Sequence, residues 1–184
     1  SFVVGNDGSC AFSYNDNFNG LSYSDNGQSS HSFAFNRFSP DVCECVKEIF
    51  ENSDLKKITH DTKSVYKYLK DAGITLRGVV FDTLLASYVK DSSRNHGLDI
   101  QMLEHKNRVL DIAVTQNFSL SCLAEMSDAV FQLTQFWIND LTENELKLVV
   151  EVELPLSIVL AKMECCGVSV DSDYLKPLSF DMSV

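Results

Sequence analysis

No stretch of this chain approaches 18 consecutive apolar residues, so it holds no candidate membrane-spanning helix. No Cys-x-x-Cys pair occurs among Cys10, Cys43, Cys45, Cys122, Cys165 and Cys166, and no histidine stands near them at ligand spacing. A structural zinc site needs four convergent ligands, so these cysteines read as buried or incidental thiols of a reducing compartment. Basic residues are scarce: 15 Lys and Arg stand against 26 Asp and Glu, a net charge of −11. A surface that neutralises phosphates needs the opposite balance, which makes this chain alone a poor match for nucleic acid unless a local basic stripe compensates. The opening residues, Ser-Phe-Val-Val-Gly-Asn-Asp-Gly, lack an initiator Met and the basic and apolar regions of a signal peptide; they read as the cut end of a longer protein.

What remains is ordinary globular material. The chain has 184 residues, 45% of them hydrophobic, enough for one sizeable core with an appendage. The Asn6-Asp7-Gly8 turn between Phe2–Val4 and Ala11–Tyr14 predicts a hairpin. Residues 15–32, rich in Asn, Ser, Gly and Asp, predict a polar loop with little to bury, followed by a short strand at Phe33–Phe38. Ser39-Pro40 reads as a cap and first helical residue, with a helix from Asp41 to about Glu51 that buries Val42, Val46 and Ile49.

Leu55–Thr59 predicts a strand, and Asp61 caps a helix that turns Val65, Tyr68 and Leu69 inward and stops at Gly73. Leu76–Phe81 predicts a second strand, and Asp82 opens a helix through Val89. Short strands alternating with helices signal an α/β fold. From Leu98 onward the pattern is helical, in segments centred on 98–114, 119–139 and 142–166, with Pro155 bending or starting the last. In that last segment Leu156, Val159, Leu160 and Met163 recur at helical spacing and predict one buried face, and the alternating Val168 and Val170 follow Gly167.

Two stretches carry a resemblance. Residues 153–171 read E-L-P-L-S-I-V-L-A-K-M-E-C-C-G-V-S-V-D. This resembles the bacterial family A DNA polymerases (the DNA polymerase I family), which carry E-x-P-L-x-x-V-L-x-x-M-E-x-x-G-V-x-V-D where a 3′–5′ exonuclease-like domain passes into the polymerase domain. Ile74–Tyr88, I-T-L-R-G-V-V-F-D-T-L-L-A-S-Y, is similar to the family's G-I-x-L-R-G-V-x-F-D-T-M-L-A-x-Y. The resemblance covers about residues 54–178. It implies a ribonuclease H-like exonuclease fold, a mixed sheet flanked by helices, over residues 1–141, then a connecting helix and the start of a polymerase domain over 142–184. It also implies a parent in the bacterial cytoplasm, at the nucleoid, that polymerises DNA in replication and repair with Mg²⁺.

Active members of that family hydrolyse phosphodiesters with two divalent ions ~3.5–4 Å apart, which only a set of oxygen ligands can hold. Their first motif is Asp-x-Glu on the first strand. No Asp-x-Glu occurs in residues 1–40, so the chain is expected to open on the second strand with the first one missing. Their second motif, G-x-N-x-x-x-D, resembles Thr59–Val65, which sets Asp61 at the Asn position and Val65 at the metal-binding position. Their third, Tyr-x-x-x-Asp ahead of A-D-x-x-x-x-L, puts Cys122 at the Tyr and Met126 at the Asp; making Asp128 the ligand instead puts Ala124 at the Tyr.

Valine and methionine offer a hard cation nothing. The resemblance therefore implies a degenerate nuclease domain with no metal or cofactor of its own, which supports a polymerase domain in cis and meets DNA mainly through it. Asp61, Asp82 and Asp128 remain as weaker ligand candidates, and for Asp61 and Asp82 helix capping is the simpler role. The acidic run Asp140, Glu143, Glu145, Glu151 and Glu153 reads as a solvated face, and Phe118, Phe131, Phe136 and Trp137 as core rather than as a base-stacking platform. An active exonuclease with ligands at other positions, and a protein-interaction module that keeps the fold, are the two other readings.

Overall fold

The computed structural model describes residues 9–14, 20–24, 30–34, 40–110 and 120–182. It is an α/β fold. Strands β1 (Ser9–Tyr14), β2 (Gly20–Ser24), β3 (Ser30–Ala34), β4 (Lys56–Thr59) and β5 (Val79–Asp82) form one sheet in the order β3-β2-β1-β4-β5. The first three strands run antiparallel to one another, with Ala11 opposite Ser24 and Tyr23 opposite His31. On its other side β1 runs parallel to β4, which runs parallel to β5.

Two expectations change here. Among the described residues the first strand, β1, is the central one of the sheet, bonded directly to β4 through Ser9, Cys10 and Ala11, so no further strand fits between those two. The polar tract 15–32 holds β2 and the start of β3, where a loop was expected. Strand propensity is a matter of context: β2 has ladder partners on both sides and helix α5 (Leu120–Asp140) packed across it, which outweighs its serines and glycine. The hairpin turn at Asn6-Asp7-Gly8 and residues 35–38 of the expected third strand lie outside the described residues.

The first helices follow their start and stop signals. Helix α1 (Pro40–Glu51) begins on proline and buries Val46 and Phe50. Helix α2 (Thr62–Asp71) buries Thr62, Val65 and Leu69, whereas Tyr68, expected inside, is exposed. Between α1 and β4 the chain is held by a fully buried lysine: Lys57 Nζ donates to the carbonyls of Asn52 (2.7 Å) and Leu55 (2.8 Å). Gly78 packs against the same turn at φ +72°, and its carbonyl accepts from Lys57 N. That turn delays β5 to Val79, three residues later than the sequence pattern suggests.

Helix α3 (Thr83–Lys90) leads to α4 (Leu98–Lys106), which ends where Asn107 takes a left-handed conformation, φ 51°. The long α5 supplies Ala129, Val130, Leu133 and Trp137 to the main apolar cluster, together with Ile58, Phe81 and Met102; Trp137 Nε1 donates to the buried Gln101. Phe131 and Trp137 are thus core, as their spacing predicts.

Residues 143–166 run as one continuous rod. Helix α6 (Glu143–Lys147) starts with a capping box between Thr142 and Glu145, passes into a π-helical segment, Leu148–Glu153, and continues as α7 (Leu154–Cys166). Leu154 N reaches back five residues to Val149 O, and the widened turn sits next to Pro155, which has no N–H to give. Helix α8 (Ser172–Asp181) follows; Val168 and Val170 lie in irregular chain.

The stripe Leu156, Val159, Leu160 and Met163 is not buried: these side chains are 44, 49, 42 and 62% exposed. Helix α7 lies on α2 through the opposite face, where Ser157 and Ala161 allow a close approach and Lys63 and Lys67 both grip Glu164 at 2.9 Å. Cys165 and Cys166 at its end are exposed thiols, not buried ones.

A Cβ at position 78 would sit 2.6 Å from Leu55 O in a backbone conformation that L-residues avoid. Gly78→Ala should therefore lower the unfolding free energy by roughly 2 kcal/mol or more, measurable by urea denaturation, whereas Gly73→Ala, whose Cβ would meet no neighbour, should cost less.

Candidate functional site

The parallel strands β4 and β5 end side by side, and the chain turns from each into a helix. Asp82, the last residue of β5, is 1% exposed. Its Oδ1 accepts from Leu84 N (2.8 Å) and Leu85 N (3.3 Å), capping α3, and from Asp61 N (3.2 Å). Its Oδ2 accepts from Thr62 N (2.5 Å) and Thr59 Oγ1 (3.4 Å). One carboxylate thus satisfies backbone donors at the starts of two helices, where the helix dipoles also favour negative charge. Asp61, at φ 63°, caps α2 by accepting from Ser64 N (3.2 Å). Both aspartates are caps, as their positions suggest.

Around this knot lie neutral hydroxyls and two imidazoles. Thr59 Oγ1 and Thr62 Oγ1 share a hydrogen bond. Thr83 and Ser87, one turn apart on α3, bond His60 Nδ1 and His96 Nδ1, each at 2.9 Å. Desolvation holds His60 below the ordinary histidine value, against the pull of Asp82, Asp61 and Asp99. A cavity of about 170 Å³ separates the knot from α7, with Thr62, Asp82, Leu85, Ser157 and Leu160 among its walls.

The positions that would carry metal ligands are built differently. Val65 is 3% exposed and packs with Val46, Phe50, Leu69, Ile74 and Leu76. Met126 is half-buried against the other cluster, the one that contains Ile58 and Phe81. The two positions belong to separate apolar clusters. Cys122 is half-buried one turn before Met126. Asp128 is buried, but Ser24 Oγ (3.1 Å), Gln132 Nε2 (3.0 Å) and Arg108 Nη1 (3.3 Å) occupy it, and Arg108 Nη2 also holds Glu125 (3.0 Å).

A pair of divalent cations does not fit this donor set. Val65 and Met126 lack oxygen, the Asp82 lone pairs are spent on backbone, Asp128 faces a guanidinium, and β1 from Ser9 to Tyr14 has no carboxylate. Among the described residues no three His, Cys, Asp or Glu side chains converge as a metal site. Sequence reasoning missed Ser24, Arg108 and the histidine ladder on α3, because each depends on residues far apart in the chain. The acidic run after α5 is indeed a solvated face, tied down by Lys90 to Asp140 and by the Thr142–Glu145 cap.

Two measurements test the knot. Asp82→Ala strips the caps from α2 and α3 together and should cost about 2–4 kcal/mol in chemical denaturation, more than Asp61→Ala, which removes one. Because the native fold disfavours His60 protonation, the unfolded chain takes up the proton first as pH falls. Stability should therefore decline below pH ~6.5, and His60→Gln should flatten that decline in melts run between pH 5 and 8.

Comparison with known proteins agrees with this architecture. The family model for the DNA polymerase I ribonuclease H-like domain matches residues 17–118. DNA polymerase I of Bacillus subtilis is 33% identical over 153 residues, which cover 76% of this chain and 17% of that protein. The Borreliella burgdorferi enzyme is 32% identical over 148 residues, covering 73% and 16%. The chain thus spans about a sixth of the length of these curated relatives. Among solved structures, the POL domain of Mycobacterium smegmatis Pol1 in complex with DNA primer-template and dNTP superposes with a TM-score of 0.77 at 24% identity, covering 90% of this chain and 28% of that one. Brucella melitensis NrnC with bound Mg²⁺ gives 0.63 at 14% identity, covering 92% and 94%. At such identities these two likenesses establish the fold, a ribonuclease H-like one. With the family model covering more than half of its length, the chain belongs to the ribonuclease H-like, exonuclease-type domain family of DNA polymerase I.

Proposed function

We propose that this domain has lost phosphodiester hydrolysis and serves as a structural support for a polymerase core in the same polypeptide. The observation that carries the reading is the placement of Val65 and Met126. Each is part of a different apolar cluster, so the positions that would present carboxylates to cations instead hold helices together. Hydrocarbon at one ligand position could be a local accident; hydrocarbon and thioether at both leave the chemistry without its reagent.

The same reading divides the chain near residue 141. Residues 1–141 form the exonuclease-like body, and 142–184 form the connecting rod and the approach to a polymerase domain. The capping box at Thr142 begins that rod, and the apolar side chains of α7 and α8 are left uncovered, as a lead into a further domain would leave them. DNA then meets the protein chiefly through the polymerase domain, in keeping with the charge of −11 on this chain. Mg²⁺ belongs to the chemistry of that parent, acting in replication and repair in the bacterial cytoplasm. No helix among the described residues is long and apolar enough to cross a membrane.

Incubation with 3′-labelled single-stranded DNA and Mg²⁺ or Mn²⁺ tests the proposal. The expected result is no shortening beyond that seen with EDTA. Metal-dependent digestion that purifies with the chain and disappears in a folded Asp61→Ala or Asp128→Asn variant would overturn it.

A further inference from the structure

Asp128 is a carboxylate with 8% of its residue surface left to solvent. Burial at that level is costly for a charge unless an opposite charge and hydrogen bonds compensate. Two of its partners, Ser24 and Gln132, are neutral; among the described residues the one cation within ion-pair distance is Arg108. The same guanidinium reaches Glu125, one turn earlier on α5, so a single fork spans two carboxylates on one helix face.

Arg108 is also held in place by the backbone. Asn107 turns the chain out of α4 in a left-handed conformation, and Arg108 N then bonds Met102 O at 3.2 Å. Met102 and Leu110, on either side of it, are both in the main core. The turn thus places the half-exposed side chain, 38% open to solvent, beside α5, where the two carboxylates hold it.

We infer that Arg108 is the resident counter-ion of α5: it gives Glu125 and Asp128, permanently and from within the chain, the positive charge that carboxylates grouped on one face would otherwise draw from a bound cation. The inference rests on the non-catalytic reading above. It adds that α4, α5 and the end of β2 are clamped by one protein-borne charge, which makes folding independent of divalent metal. The guanidinium suits this task because it offers two N–H groups in a rigid fork, where an ammonium offers a point charge.

A double-mutant cycle read by thermal unfolding tests it, each protein melted in EDTA and in MnCl₂. The wild-type chain should melt at the same temperature in both. Arg108→Gln should lower Tm by about 5 °C or more, since Asp128 then stays buried with neutral partners only. Adding Asp128→Asn to that variant should recover part of the loss, because the uncompensated charge is gone. If Arg108→Gln alone does not fold, a folded double variant is the same result in stronger form.

An Arg108→Gln chain that melts like wild type, a double variant no more stable than Arg108→Gln, or a wild-type Tm that rises several degrees in MnCl₂ would overturn the inference. Nuclease activity of the wild-type chain would instead overturn the scaffold reading. The two failures are told apart because one is read on DNA and the other on stability.

Discussion

The carboxylate of Asp82 sits where two helices begin, and the geometry of the strand ends depends on it. Parallel strands β4 and β5 deliver the chain to the same end of the sheet, so α2 and α3 start next to each other with their first N–H groups unpaired. Leaving those donors dry would cost on the order of 1–3 kcal/mol each. Asp82 answers four backbone donors at once, two on its own helix and two across the strand gap at Asp61 and Thr62. This explains a feature of the resemblance to polymerases. The best-matched stretch, Ile74–Tyr88, contains Gly78 and Asp82, and both residues answer to backbone geometry. Gly78 is required by the close approach of Leu55 O, and Asp82 by the two helix starts. A chain can keep that stretch for folding alone, with no hydrolytic task attached.

Among the described residues two carboxylates are buried, and they are balanced in different ways. Asp82 is balanced by peptide N–H groups and the ends of two helices, with no cation in its hydrogen-bond shell. Asp128 is balanced by a guanidinium carried on the turn after α4. The exposed clasp of Lys63 and Lys67 on Glu164 is a third case: hydrogen bonds from the lysines hold the Glu164 carboxyl below its usual range, but solvent screens the pair, and its role is to orient α7. Both carboxylates are thus engaged within the chain, Asp82 by five donors and Asp128 by three.

Local chemistry was legible in the sequence; long-range pairing was not. Asp61 and Asp82 as caps, Pro40 at a helix start, Pro155 near the head of the last rod and the inward set Val65 and Leu69 are all properties of a few adjacent residues. The second strand and the start of the third were illegible because Gly20–Ser24 and Ser30–Ser32 lack strand composition and gain their order from each other and from β1 and α5. The central place of β1 could not be read either: strand order is decided by hydrogen bonds to Lys56–Ile58, more than 40 residues away in the chain. Arg108 gave no signal, because its partners Glu125 and Asp128 lie on α5, 17 and 20 residues further along the chain. For Val65 and Met126 residue identity alone carries the message: neither side chain has an oxygen to offer a hard cation, wherever it is placed.

Helix α7 shows where periodicity misleads and what the error is worth. A repeat of Leu156, Val159, Leu160 and Met163 says that one face of the helix needs a cover, and the nearest inference is that the helix's own domain supplies it. The domain instead takes the other face, where Ser157 and Ala161 let α7 settle closely on α2. Small residues meet α2, Leu156 and Leu160 border the cavity beside Asp82, and Val159 and Met163 are left to solvent. A helix of 13 residues is marginal in water by propensity alone. Its straightness here relies on the seat, the Glu164 clasp and the continuous rod through the π segment. The apolar surface left on α7 is held in place by the α2 seat and the Glu164 clasp.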